Sequence, residues 1–234
     1  MNLSFYSASV GATAQQSKLD VIANNFANIS TEGYKTKNAT FSDLLYTTTE
    51  GAQGGAVERG SGTRLDNTYS VFDAGAYIET DSKLDFYIEG RGFFALQNPS
   101  TEEIVYTRNG NFAMAQMGED FYLTSGDGYF VLDENGNTIR LNDLEDDEIK
   151  PAVYDFAILD GISSAGDSNY APTERNGEAF LSNVETTQCR LESSNVDISK
   201  EMTKVIETQR AYQYALKMVQ TSDEIQTTIN SLRG

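Results

Sequence analysis

The 234-residue sequence predicts an α+β fold in which N- and C-terminal helices pair as a coiled coil around a central all-β domain. Three observations lead to this prediction. Apolar residues recur every three or four positions near both ends of the chain, as on one face of a helix. Between these ends, apolar and polar residues alternate in short runs, as in strands. Asn-Gly and Asp-Gly dipeptides separate several of the runs, which is typical of tight turns.

The first thirty residues are predicted to form one helix with an apolar seam. The seam residues are Phe5, Ala8, Ala12, Gln15, Leu19, Ile22, Phe26 and Ile29. Their alternating spacing of three and four is that of a heptad pattern. The opposite face is predicted to carry Ser7, Thr13, Lys18 and Asn25. The helix should end before Gly33.

The C-terminal segment mirrors the first, with Asp197 as the predicted N-cap of a second helix. Its seam residues are Ile198, Met202, Val205, Gln209, Tyr212, Leu216 and Val219. Beyond residue 223 the pattern shifts to Ile225, Ile229 and Leu232 on a different face. One face could therefore pair with the N-terminal helix and the other with a neighbouring chain. The apolar pattern by itself is equally consistent with a second interpretation, in which both helices pack in the ordinary way within one domain.

The middle of the chain is predicted to be a set of strands at residues 86–89, 93–97, 104–107, 129–132 and 153–159. The turn dipeptides are Asn109-Gly110, Asp127-Gly128, Asn135-Gly136 and Asn176-Gly177. The predicted division of the chain is an N-terminal assembly segment at 1–45, a flexible or extended connector at 46–69, a β-rich outer domain at 70–190 and a C-terminal assembly helix at 191–234. Residues 141–149 are interpreted as an acidic connector.

The composition argues against catalysis. The chain has no histidine, which removes the commonest general base and zinc ligand. The single cysteine, Cys189, has no histidine to activate it and is interpreted as a small hydrophobe. Gly90-Arg91-Gly92 begins a match to the dinucleotide fingerprint, but a strand rather than a helix should follow, so the glycines are interpreted as a tight bend or bulge between two strands. A carboxylate pair of a hydrolase is not excluded by residue type, although nothing marks one pair. We therefore expect no catalytic residue, no cofactor and no metal site, the acidic run at 145–148 being a solvated charge run.

The net charge of −18 bears on the partners of the chain. Such a chain is repelled by nucleic-acid phosphates and by anionic lipid surfaces, so neither is expected as a partner. No segment reaches the length of a membrane-spanning helix, and the first eleven residues lack the basic and apolar regions of a cleavable secretory signal.

A cluster of asparagines, Asn24, Asn25 and Asn28, stands beside the N-terminal apolar seam. Asparagine is a poor residue for the interior of a helix, because its side chain competes for backbone hydrogen bonds. One interpretation is a helix end, where asparagine is favoured. The other is specific hydrogen bonding across a helix interface, which fixes the register of the helices.

Three stretches, in the expected order, resemble the axial proteins of the bacterial flagellum, the rod and hook family. The first runs from Leu19 to Lys35 and includes LDVIANNFAN, and Phe41-Ser42-Asp43-Leu44-Leu45-Tyr46 follows it. The second consists of IEGRGFF, from Ile88, and YTRNGNF, from Tyr106. The third runs from Leu191 through Gln209-Arg210-Ala211-Tyr212. The resemblance covers most of the chain, except about residues 142–180. The sequence differs from the family pattern at Cys189, where the family usually has glycine.

The resemblance implies a structural subunit of the basal-body rod that polymerises through its terminal helices into a hollow drive-shaft segment. The implied partners are copies of itself in a helical homo-polymer, other rod and hook subunits, and the flagellar export apparatus, which exports it without signal cleavage. The β segment argues against the short proximal rod subunits and the length against the hook protein. The Phe41–Tyr46 match favours the distal rod, with a sister rod protein or a short hook protein as the alternatives.

Two sets of residues are implied to matter. The assembly interface comprises Phe5, Leu19, Ile22, Asn24, Asn25, Phe26, Asn28, Met202, Val205, Gln209, Tyr212, Leu216 and Val219. The β-domain motif comprises Gly90, Gly92, Phe93, Phe94, Tyr106, Arg108, Gly110 and Phe112. A competing function is a β-rich binding or adhesin module on a helical stalk, which does not account for the asparagine cluster.

Overall fold

The computed structural model describes residues 3–50, 56–141 and 149–233. The acidic run at 145–148 and most of the predicted acidic connector lie outside the described residues. The chain divides into two compact units. The first, called the helical unit, comprises Met1–Ala27, Lys37–Ser70 and Asp197–Gly234. The second, called the β unit, comprises Asn28–Thr36 and Val71–Val196.

The helical unit contains both helices and four strands. Helix α1 is Leu3–Ala27 and helix α2 is Ile198–Arg233. The strands are β1 Lys37–Asp43, β2 Thr47–Glu50, β3 Ala56–Arg59 and β4 Thr63–Ser70. β1 pairs with β4 and β2 with β3, both antiparallel, and α1 packs against α2, β1 and β4. The segment 46–69, interpreted from the sequence as a connector, thus contains three strands, with residues 51–55 outside the described part.

The ends of the helices agree with the sequence prediction. Asp197 is the N-cap of α2, because its Oδ1 accepts hydrogen bonds from the backbone N–H groups of Ser199 at 2.9 Å and Lys200 at 3.2 Å. Helix α1 ends at Ala27, before Gly33, which has a φ of +66°. A Cβ at Gly33 would lie 2.5 Å from the backbone nitrogen of Asn109, so this close approach requires glycine. Neither helix, within its described residues, is long and apolar enough to cross a membrane.

The β unit consists of short antiparallel strands. They are β5 Tyr77–Glu79, β6 Phe86–Ile88, β7 Phe93–Gln97, β8 Ile104–Thr107, β9 Phe112–Met117, β10 Asp120–Ser125, β11 Phe130–Val131, β12 Val153–Asp155, β13 Ser163–Gly166, β14 Asn169–Ala171, β15 Phe180–Leu181, β16 Thr186–Gln188 and β17 Arg190–Glu192. The main sheet has the order β13-β14-β8-β7-β11-β10-β9, and β12 pairs with β7 and β15. Two ribbons, β5–β17 and β6–β16, join the segment before α2 to the start of the unit. Together with the two helices, this arrangement confirms the α+β class.

Strand β7 lies at the centre of the core and is buried on both faces. Phe94 and Leu96 belong to one apolar cluster, whereas Phe93 and Ala95 belong to a second. This division follows from the period of two in a strand. Because both clusters are rich in aromatic side chains, the β unit has a substantial hydrophobic core.

The five predicted strands are present at the predicted places, but three of them are shorter than predicted. Strands β7 and β8 have the predicted bounds, and β6 is one residue shorter than predicted. β11 and β12 are shorter than predicted, at residues 130–131 and 153–155.

The turn predictions hold in part. Asp127-Gly128 forms the turn between the paired strands β10 and β11. The hairpin expected at Asn109-Gly110 is wrong, because β8 pairs with β7 and β14 while β9 pairs with β10. Gly110 is required instead by close packing, since a Cβ there would lie 1.8 Å from the carbonyl oxygen of Phe86.

Candidate assembly site

The two helices of the helical unit run antiparallel. Ser4 near the start of α1 lies with its Oγ 3.3 Å from that of Ser222 near the end of α2. At the other end, the Asn25 side-chain amide donates to Glu201 Oε2 at 3.1 Å. These two contacts fix the direction and the register of the pair.

The buried face of α1 differs in part from the predicted seam. Ala12, Ile22 and Asn25 are buried, and Leu19, Phe26 and Asn28 are half-buried. The placement of Asn25 on the opposite face was wrong, since the residue is 1% exposed. The correction follows from geometry, because positions three apart, such as 22 and 25, share a helix face. Phe5 and Asn24 are exposed.

On α2 the buried face is rotated away from the predicted seam. Glu201, Thr208 and Ser222 are buried, and the predicted residues Val205, Tyr212 and Val219 are half-buried beside them. The predicted seam residues Met202, Gln209 and Leu216 are exposed. The apolar pattern of α2 thus follows a surface that the single chain leaves uncovered.

A polar clamp holds the end of α1, the start of β1 and the first turns of α2 together. The Asn25 amide donates to the Lys37 carbonyl oxygen and its Oδ1 accepts from the Lys37 N–H, each at 2.9 Å. Glu201, whose side chain is 3% exposed, accepts from Asn25 and from Lys204 Nζ at 2.6 Å. Lys204 Nζ also donates to Asn38 Oδ1 at 3.2 Å. Asn25 therefore makes the hydrogen bonds across a helix interface that one interpretation of the asparagine cluster predicted, here within one chain.

The helical unit leaves many large apolar side chains exposed. Among the described residues of α1 and α2, Ile22 is the single large aliphatic side chain that is buried. The exposed apolar residues of α2 include Ile198, Met202, Ile206, Leu216, Met218, Ile225, Ile229 and Leu232. Leu45, at 89% exposure, and Tyr46 are further exposed apolar side chains of this unit, in the segment after β1. An exposed apolar surface of this extent marks a site of protein–protein contact.

A buried ionic cluster, which sequence reasoning did not predict, lies in the β unit. Lys35 Nζ is 2.6 Å from Glu192 Oε1, and Arg108 NH1 is 3.3 Å from Glu192 Oε2. All three side chains are at most 2% exposed. Lys35 and Glu192 stand in stretches that matched the flagellar proteins, but no periodic pattern marks a charged residue as buried. Among the described residues, no group of three His, Cys, Asp or Glu side chains is arranged to hold a metal ion.

Further hydrogen bonds surround the ionic cluster. Lys35 Nζ donates to the Asp73 carbonyl oxygen at 2.8 Å, and Arg108 NH2 donates to that of Gly90 at 2.8 Å. Burial lowers the pKa of both Lys35 and Arg108, and the Glu192 carboxylate opposes this shift in each case. Because an ion leaves water only at a large cost, the cluster depends on these partners, although Arg108 Nε is buried without a hydrogen-bond partner among the described residues.

The ionic cluster also ties the two segments at which the chain enters and leaves the β unit. The backbone N–H of Gly33 donates to the Glu192 carbonyl oxygen at 2.8 Å. Asn195 accepts from the Thr36 N–H at 2.7 Å and donates to the Val71 carbonyl oxygen at 2.8 Å. Residues 28–36 are therefore built into the β unit against residues 192–195.

Comparison with known proteins identifies the family. The model described as flagella basal body rod protein matches residues 5–35, that of the flagellar hook protein FlgE/F/G D1 domain matches 87–158, and that of the flagellar basal body rod FlgEFG protein C-terminal matches 187–232. Proteins named flagellar basal-body rod protein FlgG are similar over nearly their whole length. The one from Buchnera aphidicola (subsp. Schizaphis graminum) is 30% identical, over 98% of this chain and 99% of the relative. Those from Caulobacter vibrioides and Bacillus subtilis are each 32% identical, over 97% and 98% of this chain and 98% of each relative.

The chain belongs to the flagellar basal-body rod and hook family. It is a structural subunit of the flagellar basal-body rod, and its location is the basal body of the flagellum. The resemblance found in the sequence is thus confirmed. An adhesin-like binding module is not favoured by these matches.

The motif residues of the β unit are structural in this rod subunit. Phe93, Phe94, Tyr106 and Phe112 are buried in its two apolar clusters, and Arg108 belongs to the ionic cluster. Gly90 and Gly92 have φ values of +155° and +138° in the turn between β6 and β7. A Cβ at Gly92 would lie 2.3 Å from Val153 Cγ1. The interpretation of these glycines as a tight bend is therefore confirmed.

Cys189, which stands where the resemblance implies a glycine, has an unusual backbone conformation. Cys189 has a φ of +58°, between β16 and β17. This left-handed region favours glycine, because a Cβ there crowds the backbone. The glycine that the resemblance implies for this position would adopt this conformation without strain, whereas this chain adopts it with a cysteine.

Proposed function

We propose that this rod subunit polymerises into a hollow drive-shaft segment between the basal body and the hook through its terminal helices. The observation that carries the proposal is the distribution of apolar side chains in the helical unit. The buried faces of α1 and α2 are mostly small or polar, whereas the large apolar side chains of α2 are exposed. Burying those side chains against other copies would remove a large apolar area from water.

The proposed interface combines two roles. Phe5, Met202 and Leu216 would contact other chains, as would Ile225, Ile229 and Leu232, since all are exposed in the single chain. Asn25 would fix the register of α1 on α2 through the polar clamp. Asn24, Asn28, Leu19, Ile22, Phe26, Val205, Gln209, Tyr212 and Val219 complete the proposed assembly set. Packing of these helices as a coiled coil, within one chain or between chains, belongs to the same proposal.

The proposed partners follow from family membership. They are copies of this chain in a helical homo-polymer, other rod and hook subunits, and the flagellar export apparatus, through which the chain would pass without a cleaved signal. A head-to-tail contact between copies is heterologous and winds into a helix if it does not close. We propose a purely structural role for the chain, with residues 1–45 and 191–234 in assembly and residues 70–190 as the outer β-rich domain.

The proposal is tested by placing a charge on the exposed apolar face of α2 that Ile225, Ile229 and Leu232 form beyond residue 223. Ile229→Asp should abolish polymerisation of the purified chain, because the buried interface would then contain an unpaired carboxylate. Ser231→Asp is the matched control, since it adds the same charge to the same helix at an exposed residue two positions away, which does not share the face of Ile229. Polymer is measured by sedimentation and electron microscopy, and circular dichroism checks that the helices and strands are unchanged.

Polymers formed by Ile229→Asp as readily as by the unmodified chain would contradict the proposal. So would an unmodified chain that stays monomeric at high concentration in all salts, with or without other rod subunits. Loss of assembly in both variants would show a general effect of charge and would also count against the apolar interface.

A further inference from the structure

The charge of this chain is divided very unequally between its two units. The helical unit has nine basic and ten acidic residues, which gives a formal charge of −1. The β unit has eight basic and twenty-five acidic residues, which gives −17. Nearly the whole net charge of −18 therefore belongs to the β unit.

The buried charged side chains of the β unit do not reduce the negative charge of its surface, since in the described residues two are basic, Lys35 and Arg108, and two are acidic, Asp85 and Glu192. Two of its eight basic side chains, Lys35 and Arg108, are buried in the ionic cluster with Glu192. Its acidic residues include many that are exposed, among them Glu103, Glu134, Glu174 and Glu178. The helical unit, in contrast, has interspersed charges of both signs, including the pairs Lys200–Asp197 and Lys204–Glu201.

We propose that ionic strength controls the polymerisation of this chain, with the nearly neutral helical unit making the contacts and the polyanionic β units of adjacent copies opposing them. The proposal rests on the proposed function, since it requires a polymer of this chain. Contacts between helical units bring the covalently joined β units of neighbouring copies together. Their mutual repulsion keeps the subunit monomeric in dilute salt, and counterions remove it when salt is added.

The dimensions of the β unit allow this control. A compact unit of its 135 residues has a radius of gyration of roughly 14 Å. Two such units therefore repel each other at 0.01 M salt wherever their surfaces come closer than the Debye length of about 30 Å. At 0.15 M salt the Debye length is about 8 Å, so repulsion acts only between the facing parts of two surfaces.

The test measures the critical concentration for polymerisation of the full chain, by sedimentation, between 0.02 and 0.5 M NaCl. The expected result is a fall of at least about tenfold across this range, because screening removes the repulsion. The variant Glu103→Lys/Glu134→Lys/Glu174→Lys/Glu178→Lys changes the charge of the β unit from −17 to −9. It should polymerise at lower salt, with a weaker salt dependence.

The matched control carries aspartate at the same four positions and so keeps the charge; it should follow the unmodified chain. A critical concentration that does not change with salt would overturn the proposal and leave the polymerising function intact. Salt curves that coincide for the lysine variant and the unmodified chain would also overturn it, because they would assign the salt effect to strengthened apolar burial. No polymer at any salt concentration would count against the proposed function itself.

Discussion

Glu192 is a carboxylate buried between two cations, Lys35 and Arg108, and it also accepts a hydrogen bond from the Gly75 N–H at 2.8 Å. The three side chains come from the segment after α1, the end of β8 and the end of β17. Each of these positions alone could be filled by an apolar residue. In the fold, the two positive charges of Lys35 and Arg108 are held away from water. The stability of this arrangement therefore depends on the Glu192 carboxylate that lies between them.

Glu192→Gln should therefore lower the free energy of unfolding by about 3–5 kcal/mol, the range for breaking a buried ion pair. The glutamine fills nearly the same volume, so the loss reports charge rather than packing. Glu185→Gln is the control, because Glu185 is an exposed carboxylate close by in sequence, and its change should stay within about 0.5 kcal/mol. Urea unfolding followed by tyrosine fluorescence measures both, and equal small effects would contradict the importance of the cluster.

The deficit of Glu192→Gln should also shrink as the pH rises from 7 towards 10. Burial lowers the pKa of Lys35 from its usual 10.5, and the Glu192 carboxylate limits this shift. Without the carboxylate the pKa of Lys35 falls further. Between that lower pKa and 10.5 the folded chain binds fewer protons than the unfolded chain, so stability rises with pH in this window. A deficit that stays constant from pH 7 to 10 would show that Lys35 does not lose its proton there.

The sequence predicted the glycines and aromatics of the β unit and placed Arg108 in its motif, but it did not predict the ionic cluster in which Arg108 lies. Gly90, Gly92 and the Phe93-Phe94 pair are marked by residue type, since few other residues fit a tight bend or a core strand. Lys35 and Glu192 are 157 positions apart in the sequence. Surface lysines and glutamates have the same residue types, so only the fold shows that these two are buried together.

At the scale of elements, the apolar periodicity located both helices but not the face on which they pair. The pattern of α2 is that of its exposed surface, and the buried face is filled by Glu201, Thr208 and Ser222. A polar residue at a helix position gives no sign of whether it faces water or another helix. The length of α2, 36 residues, and its N-cap at Asp197 could be predicted because they depend on local sequence alone.

The polar clamp predicts a difference between two adjacent asparagines of α1. Asn25→Leu should lower the free energy of unfolding of the helical unit by roughly 1–3 kcal/mol or more, because it leaves the Lys37 N–H and the Glu201 carboxylate with lost partners in a buried site. Asn24→Leu is the matched control, because the Asn24 side chain is exposed and the substitution is the same. The helical circular dichroism signal, followed from zero to high urea, measures the difference, and coinciding curves for the two variants would contradict the role of Asn25.

At the scale of the whole molecule, the sequence predicted the α+β class but ordered the chain into consecutive segments. The structure assigns Lys37–Ser70 to the same unit as the helices and residues 28–36 to the β unit. Such a discontinuous division depends on pairings between distant strands, here β1 with β4 and β5 with β17. Local sequence patterns do not show which distant strands pair. The resemblance to the family, in contrast, could be recognised from the sequence, because it depends only on motifs that occur in the expected order along the chain.

The two units should differ greatly in local stability in the dilute monomer. The β unit has two apolar clusters built on β7, whereas α1 and α2 bury one large aliphatic side chain among their described residues. Because helices gain most of their stability from the burial of an apolar face, the α1–α2 pair is marginal without neighbours. Amide hydrogen exchange should therefore be fast along α1 and α2 and slow in β7, β8 and β10, with a difference of about a hundredfold or more in protection.

Polymerisation should slow the exchange of the helices and change that of β7 little, since burial against other copies supplies the missing apolar contacts. Equal protection of helices and sheet in the monomer would mean that the helical unit is stable by itself, and the exposed face of α2 would then have to be a docking surface on a preformed element instead of one that is ordered by assembly.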